Sequence, residues 1–179
     1  MAIVAGDILF KFSVKTGTAG NSTVGTADGS LGKYISTTQI TDATLNNLFD
    51  NVSGDENAAS DVEYRCIFVH NAHATLTWQS VVCWLSAEVA GGANAAIAID
   101  GVAASAIADT VAQADEVADE GTAPTGEAFS SPTTKATGLS IGDLAAGNCR
   151  AIWIRRSATN SAALDNDGGT IKCEGDTAA

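Results

Sequence analysis

Between residues 7 and 15 the apolar side chains Ile8, Phe10, Phe12 and Val14 fall at every second position. A period of two predicts a half-buried strand. Residues 34–40 predict a second, shorter strand. The period then changes. In TDATLNNLFDNV, residues 41–52, Leu45, Leu48, Phe49 and Val52 have helical spacing, and Thr41 or Asp42 stands where a cap is needed. One short amphipathic helix is predicted there, ended by the loop SGDENAASD. The strongest strand patterns cover residues 62–71 and 75–87. In the first, Tyr64, Cys66, Phe68 and His70 share one face, and Arg65, Ile67 and Val69 the other. In the second, Leu76, Trp78, Val82 and Trp84 share a face. The polar connection NAHA suits a hairpin between them, and the pair should form the centre of the core.

Further on, GGANAAIAIDG reads as turn, short strand and turn. The stretch VAASAIADTVAQADEVADEG is ambiguous: Ile107 and Val111 have helical spacing, yet its fragments also suit short strands, and its acidic half looks solvated. Pro124 and Pro132 bracket another loop. Leu139, Ile141 and Leu144 precede a glycine turn. Arg150, Ile152 and Ile154 then alternate with Cys149, Ala151 and Trp153, and TIKCEG supplies a closing strand. Many short strands at turn-marked intervals predict a mainly β chain, an antiparallel β-sandwich of immunoglobulin-like or jelly-roll-like type with one short helix. The segment TGTAGNSTVGTADGSLGK has little to bury, so it is expected to be a long Gly/Thr-rich N-terminal loop or arm. The chain therefore divides into residues 1–40, a strand with this extended arm, and residues 41–179, the sandwich.

Composition adds limits. The chain has 179 residues, 45% hydrophobic and 17% charged, which suits a packed domain. Its formal charge of −12 disfavours nucleic acid and anionic membranes and favours a basic partner surface. The opening MAIVAGDILFKFSV lacks a basic lead and alternates, so it reads as a strand, with synthesis in the cytoplasm expected. The four cysteines, Cys66, Cys83, Cys149 and Cys173, have no Cys-x-x-Cys spacing and each lies in an apolar run. They are read as small buried hydrophobes, although a close pair could oxidise outside the cell.

Candidate chemistry is sparse. His70 and His73 stand three residues apart, but their flanks are strand-like and no further ligand completes a zinc set. They are expected to mark a strand end and a turn. No nucleophile elbow occurs. The acidic runs QADEVADEG and SGDEN lie in wet segments where carboxylates keep ordinary pKa values. DNDGG at residues 165–169 resembles part of a calcium loop without its distal Glu, and a turn explains it. No catalytic residue, cofactor or metal is expected. The best functional candidates are Arg155 and Arg156, adjacent on an apolar strand and so directed to opposite faces. One should make an internal ion pair while the other projects, and Arg65 should pair with a carboxylate. Thr16, Asn21, Val24 and Leu31 are the contact candidates on the arm.

DVEYRCIFVHN, the Trp-rich strand after it, and GDLAAGNCRAIWIRR together resemble small virion structural proteins of tailed bacteriophages. The resemblance implies a non-enzymatic accessory protein, made in the host cytoplasm and carried in the virion. It implies a capsid decoration (cement) protein that bridges subunits of the major capsid protein, or contacts other virion proteins, as a homo-oligomer with a trimer favoured. A tail, neck or baseplate component is the alternative. A carbohydrate- or receptor-binding module is another; it would need an exposed tryptophan, and Trp78, Trp84 and Trp153 are expected to be mostly buried.

Overall fold

The computed structural model describes residues 2–162, 164 and 167–177. It is mainly β, with two antiparallel sheets. The strands are β1 (Ile8–Val14), β2 (Tyr34–Gln39), β3 (Val62–Asn71), β4 (Trp78–Glu88), β5 (Asn94–Ile99), β6 (Ser105–Ala106), β7 (Leu139–Leu144), β8 (Asn148–Ser157) and β9 (Gly169–Thr177), with one helix, α1 (Gly54–Ala59). The larger sheet has the order β2-β1-β3-β8-β5, and β6 also pairs with β8; the smaller has the order β7-β4-β9. The expected strands at 7–15, 34–40 and 62–71 are present.

Alternation along β3 and β8 sorts the side chains to two faces. Ile67, Val69, Ile152 and Ile154 pack with Trp78, Val81, Cys83, Leu85, Ile141 and Leu144 of the smaller sheet, forming the inter-sheet core. Cys66, Phe68, Ala151 and Trp153 point the other way into a second core. Among the described residues no third sheet covers that face. Two long segments do, through Leu31, Ala114 and Val117.

The segment 16–33 is therefore no extended arm. The Gly20 amide donates to Ile35 O and the Thr37 amide to Ser22 O, so residues 20–22 run along the outer edge of β2. Where the β1–β3 ladder ends at Phe12 opposite Ile67, Ser30 fills the gap. Its hydroxyl accepts from the Ser13 amide and donates to Cys66 O, while its carbonyl accepts from the Cys66 amide. Backbone bonds that a ladder would have made are thus supplied by a loop. Lys33 O accepts from Gln113, Leu31 O accepts from Val117, and Glu120 O accepts from Tyr64.

Three expectations are corrected. Residues 41–52 form turns rather than a helix. Ala43 and Asn46 have left-handed φ of 53° and 57°. The Asp42 carboxylate takes the Ala43 amide and the Asn47 amide group donates to Thr41 O; such local bonds compete with a helix. The helix lies in the next segment, read as loop, where Ser53 and Glu56 form a reciprocal capping box. Secondly, NAHA closes no hairpin, because β3 is flanked by β1 and β8 while β4 belongs to the other sheet. The buried Asn71 side chain bonds both Leu76 O and Leu144 O, which leads the chain across the sandwich. Finally, a bulge at Ser80, with φ of 52°, turns Trp78 onto the inner face with Val81, Cys83 and Leu85, and leaves Val82 and Trp84 on the opposite face.

Candidate functional site

β3 and β8 pair with Glu63 opposite Arg156 and Arg65 opposite Ile154. Glu63, Arg65 and Arg156 therefore share the inner face at one end of the larger sheet. The loop 41–53 brings Phe49 there. Both guanidiniums lie against its ring, Arg65 at 5.2 Å and Arg156 at 4.8 Å from the centroid. Arg65 has no exposed side-chain surface, yet it pairs with Asp28 at 3.1 Å and Glu120 at 2.5 Å, whose side chains are 64% and 46% exposed. Arg156 donates its Nε to Glu63 at 2.6 Å and pairs with Asp50 at 3.0 Å. Burial raises the Glu63 carboxyl above its usual range, and the hydrogen bond and charge of Arg156 work against that. Two buried or nearly buried arginines thus hold three outward carboxylates, Asp28, Glu120 and Asp50, around one aromatic ring. Buried charge of this kind is stable only when paired with opposite charge. Here the pairing also fixes where the acidic rim stands.

Arg155 points to the other face, as expected of its neighbour position. Its guanidinium lies 5.4 Å from the Phe129 ring centroid, and that ring meets Tyr64 edge-on. Of the arm residues, Thr16 and Asn21 are exposed, Val24 is half-buried, and Leu31 is buried in the second core. Leu31 therefore holds its own loop in place. Arg65 pairs with carboxylates from a fully buried position, so any contact it serves runs through Asp28 and Glu120.

The histidines do separate things. His73 Nδ1 accepts from the amides of Thr75 and Leu76, which shapes the inter-sheet crossing. His70 lies within β3 beside Cys149 of β8. Burial, and then the charge of Lys11, lower its pKa to about 4. Burial pushes the Cys149 thiol up to about 12, so neither member of this pair is activated at neutral pH. Among the described residues, no three His, Cys, Asp or Glu side chains come together as a metal set. Asp165 and Asn166 of the DNDGG segment lie outside the described residues; Asp167 accepts from the Ala93 amide at 2.7 Å. The tryptophans offer no stacking platform: Trp78 and Trp84 are 6% exposed and Trp153 is fully buried.

Sequence reasoning missed Asp100. It is fully buried, and its carboxylate accepts from Trp153 Nε1 at 2.8 Å and from the amides of Asp115 and Val102. It also missed Phe49 and Asp50 as partners of the arginines. Glu63 had a usable signal, since it stands two residues from Arg65 on the same strand face.

Comparison with known proteins returns no family model, no curated protein and no solved structure that matches this chain.

Proposed function

We propose that this chain is a virion structural protein, in the first place a capsid decoration protein that bridges capsid subunits through contact surface rather than chemistry. The observation that carries the reading is the acidic rim. Asp28, Glu120 and Asp50 are displayed by arginines whose own charge is hidden, on a chain of net charge −12. Such a rim is preorganised, so binding costs little side-chain ordering, and it fits a basic surface on a neighbouring subunit. The sandwich, which we read as immunoglobulin-like or jelly-roll-like, supplies the rigid body behind it. The resemblance of its strands to small tailed-phage virion proteins supplies the setting.

The test has two arms. Imaging of purified particles of the parent phage should place the protein on the capsid lattice; a position confined to tail, neck or baseplate would replace the decoration reading, and absence from particles would end it. The double substitution D28N/D50N leaves Glu120 and Glu63 to hold the arginines. It should reduce occupancy on particles, and occupancy of the unaltered protein should fall with added salt. Salt-independent, unchanged occupancy would remove the rim from the account. Deleting residues 16–33 would not test the reading, because it would extract Ser30 and Leu31 from the fold.

A further inference from the structure

Cys83 and Cys173 face each other directly across the β4–β9 ladder. The ladder has no register shift between the Val82–Glu174 and Leu85–Ile171 pairs, so the two cysteines sit in regular pairing. Directly opposed antiparallel residues have Cα atoms about 4.5 or about 5.5 Å apart, and both values lie inside the range that a disulfide tolerates. The neighbouring Cys83 thiol first, and burial second, hold the Cys173 thiol well above its ordinary pKa, as expected of directly opposed side chains.

The remaining cysteines have no such geometry. Cys66 stands opposite Trp153 and Cys149 opposite His70, four rungs apart on the β3–β8 ladder. That is roughly 13 Å along the strand, well past disulfide reach. Access also differs. Cys83 is fully buried. Cys173 lines an open groove of about 300 Å³ between β9 and the N-terminal segment, walled by Ile3, Val4, Ile8, Phe10 and Trp78. A reagent therefore meets Cys173 first.

We propose that Cys83 and Cys173 form a cross-strand dithiol that closes to a disulfide on exposure to a small-molecule disulfide, tying the edge strand β9 to β4. The Cys173 thiolate attacks one sulfur of the reagent, whose S–S bond breaks and releases one thiolate. The Cys83 thiolate then attacks the Cys173 sulfur of the mixed disulfide and expels the second thiolate. Both protons lost by the cysteines end on the two released thiols; the protein is oxidised by two electrons and the reagent reduced by two. Among the described residues β9 pairs only with β4, and from Thr170 onward its residues alternate between exposed and half-buried, so a covalent tie would secure a thinly covered edge. The bond would close a loop of roughly 90 residues, the kind of long span for which cross-linking restricts the unfolded chain most. A reducing cytoplasm keeps the pair open, and an oxidising exterior closes it. This inference rests on the fold alone and is independent of the virion reading.

The folded protein is incubated with bis(2-hydroxyethyl) disulfide at mildly alkaline pH, quenched with acid, and its thiols counted after unfolding. Four thiols should fall to two, with a mass loss of two hydrogens, a single Cys83–Cys173 linked peptide, and full reversal by dithiothreitol. The closed form should also melt at higher temperature than the open form. C173S, changed at the more accessible position, should keep all three of its thiols, whereas C149S should still lose two. Four thiols surviving in the folded protein, a linked peptide that contains Cys66 or Cys149, or thiol loss undiminished in C173S would each overturn the assignment.

Discussion

Lowering the pH from 8 to 5 should destabilise this fold through one side chain, His70. The residue is 7% exposed, and Nδ1 is buried without a hydrogen-bond partner. Lys11 on β1 and Cys149 on β8 are its charged and titratable neighbours. Burial first and the Lys11 charge second lower its pKa from 6.5 to about 4. The unfolded chain takes up the proton near pH 6.5 and the folded chain does not, so stability is unaffected above that value and falls as the pH drops below it. The loss is complete once the folded ring also protonates near pH 4. Two and a half units correspond to about 3 kcal/mol in full, of which about 2 kcal/mol is lost by pH 5. For a chain of this size that is a melting-point drop of about 4–8 °C. Glu63 and Glu127 are raised by burial and so oppose the trend, binding protons more readily folded than unfolded. The clean measurement is therefore a difference. Urea unfolding of the wild type and of H70Q at pH 8 and pH 5 should show the wild type losing about 2 kcal/mol more than the variant. A difference that stays constant within about 0.5 kcal/mol, or a His70 ring that titrates by NMR near its unperturbed value of about 6.5, would refute the reasoning.

Three further substitutions probe the scaffold. D100N turns one carboxylate oxygen into a donor facing the buried donors Trp153 Nε1 and the amides of Asp115 and Val102; urea midpoints should report a loss of about 3 kcal/mol, with Trp153 fluorescence following the same transition. F49A removes the ring between the Arg65 and Arg156 guanidiniums, and thermal unfolding should show a loss of about 2 kcal/mol from cation–π contact and burial together. S53A deletes the oxygen that caps α1; hydrogen exchange at residues 54–59 should accelerate by an amount equivalent to about 1 kcal/mol while the β3 amides keep their protection.

The strands of the larger sheet were legible because alternation there is strong. Phe10 and Phe12 on β1, and the two faces of Val62–Asn71, read directly as period two. What failed was short-range inference about connections. Leu45, Leu48, Phe49 and Val52 carry a helical period, but the polar side chains of Asp42 and Asn47 bind nearby backbone and win locally. Leu45 ends 73% exposed while Leu48 and Phe49 still reach the core edge. The capping signature Ser53–Glu56 was present in the sequence and marked the true helix. NAHA has hairpin length, yet the bonds that decide its path reach from Asn71 to Leu144, far away in sequence. The arginines were legible as paired residues. Their partners were not, because Asp28, Asp50 and Glu120 reach them on loops whose course depends on the finished sheet.

The two loops that carry Asp28 and Glu120 form the third layer, and their composition explains how they can be ordered with so few large apolar residues. The face beneath them sets small side chains, Cys66, Ala98, Cys149 and Ala151, among the bulk of Phe68 and Trp153. Backbone can approach such a face closely. Gly32 does so with φ of 95°, where any Cβ would run into Asp115 O. Close approach lets backbone bonds replace apolar burial as the main restraint, as in the bonds between Lys33 and the residues Gln113 and Asp115. The same loops carry Asp28 and Glu120 to Arg65. Asp28 and Glu120 of the acidic rim are therefore mechanically one unit with the third layer, anchored from below by Asp100 on Trp153 and from the end by Arg65. If the proposed decoration role holds, a change at Asp100 that loosens the layer should weaken the rim without touching it, so D100N should lower occupancy on particles at temperatures where the sandwich itself is still folded.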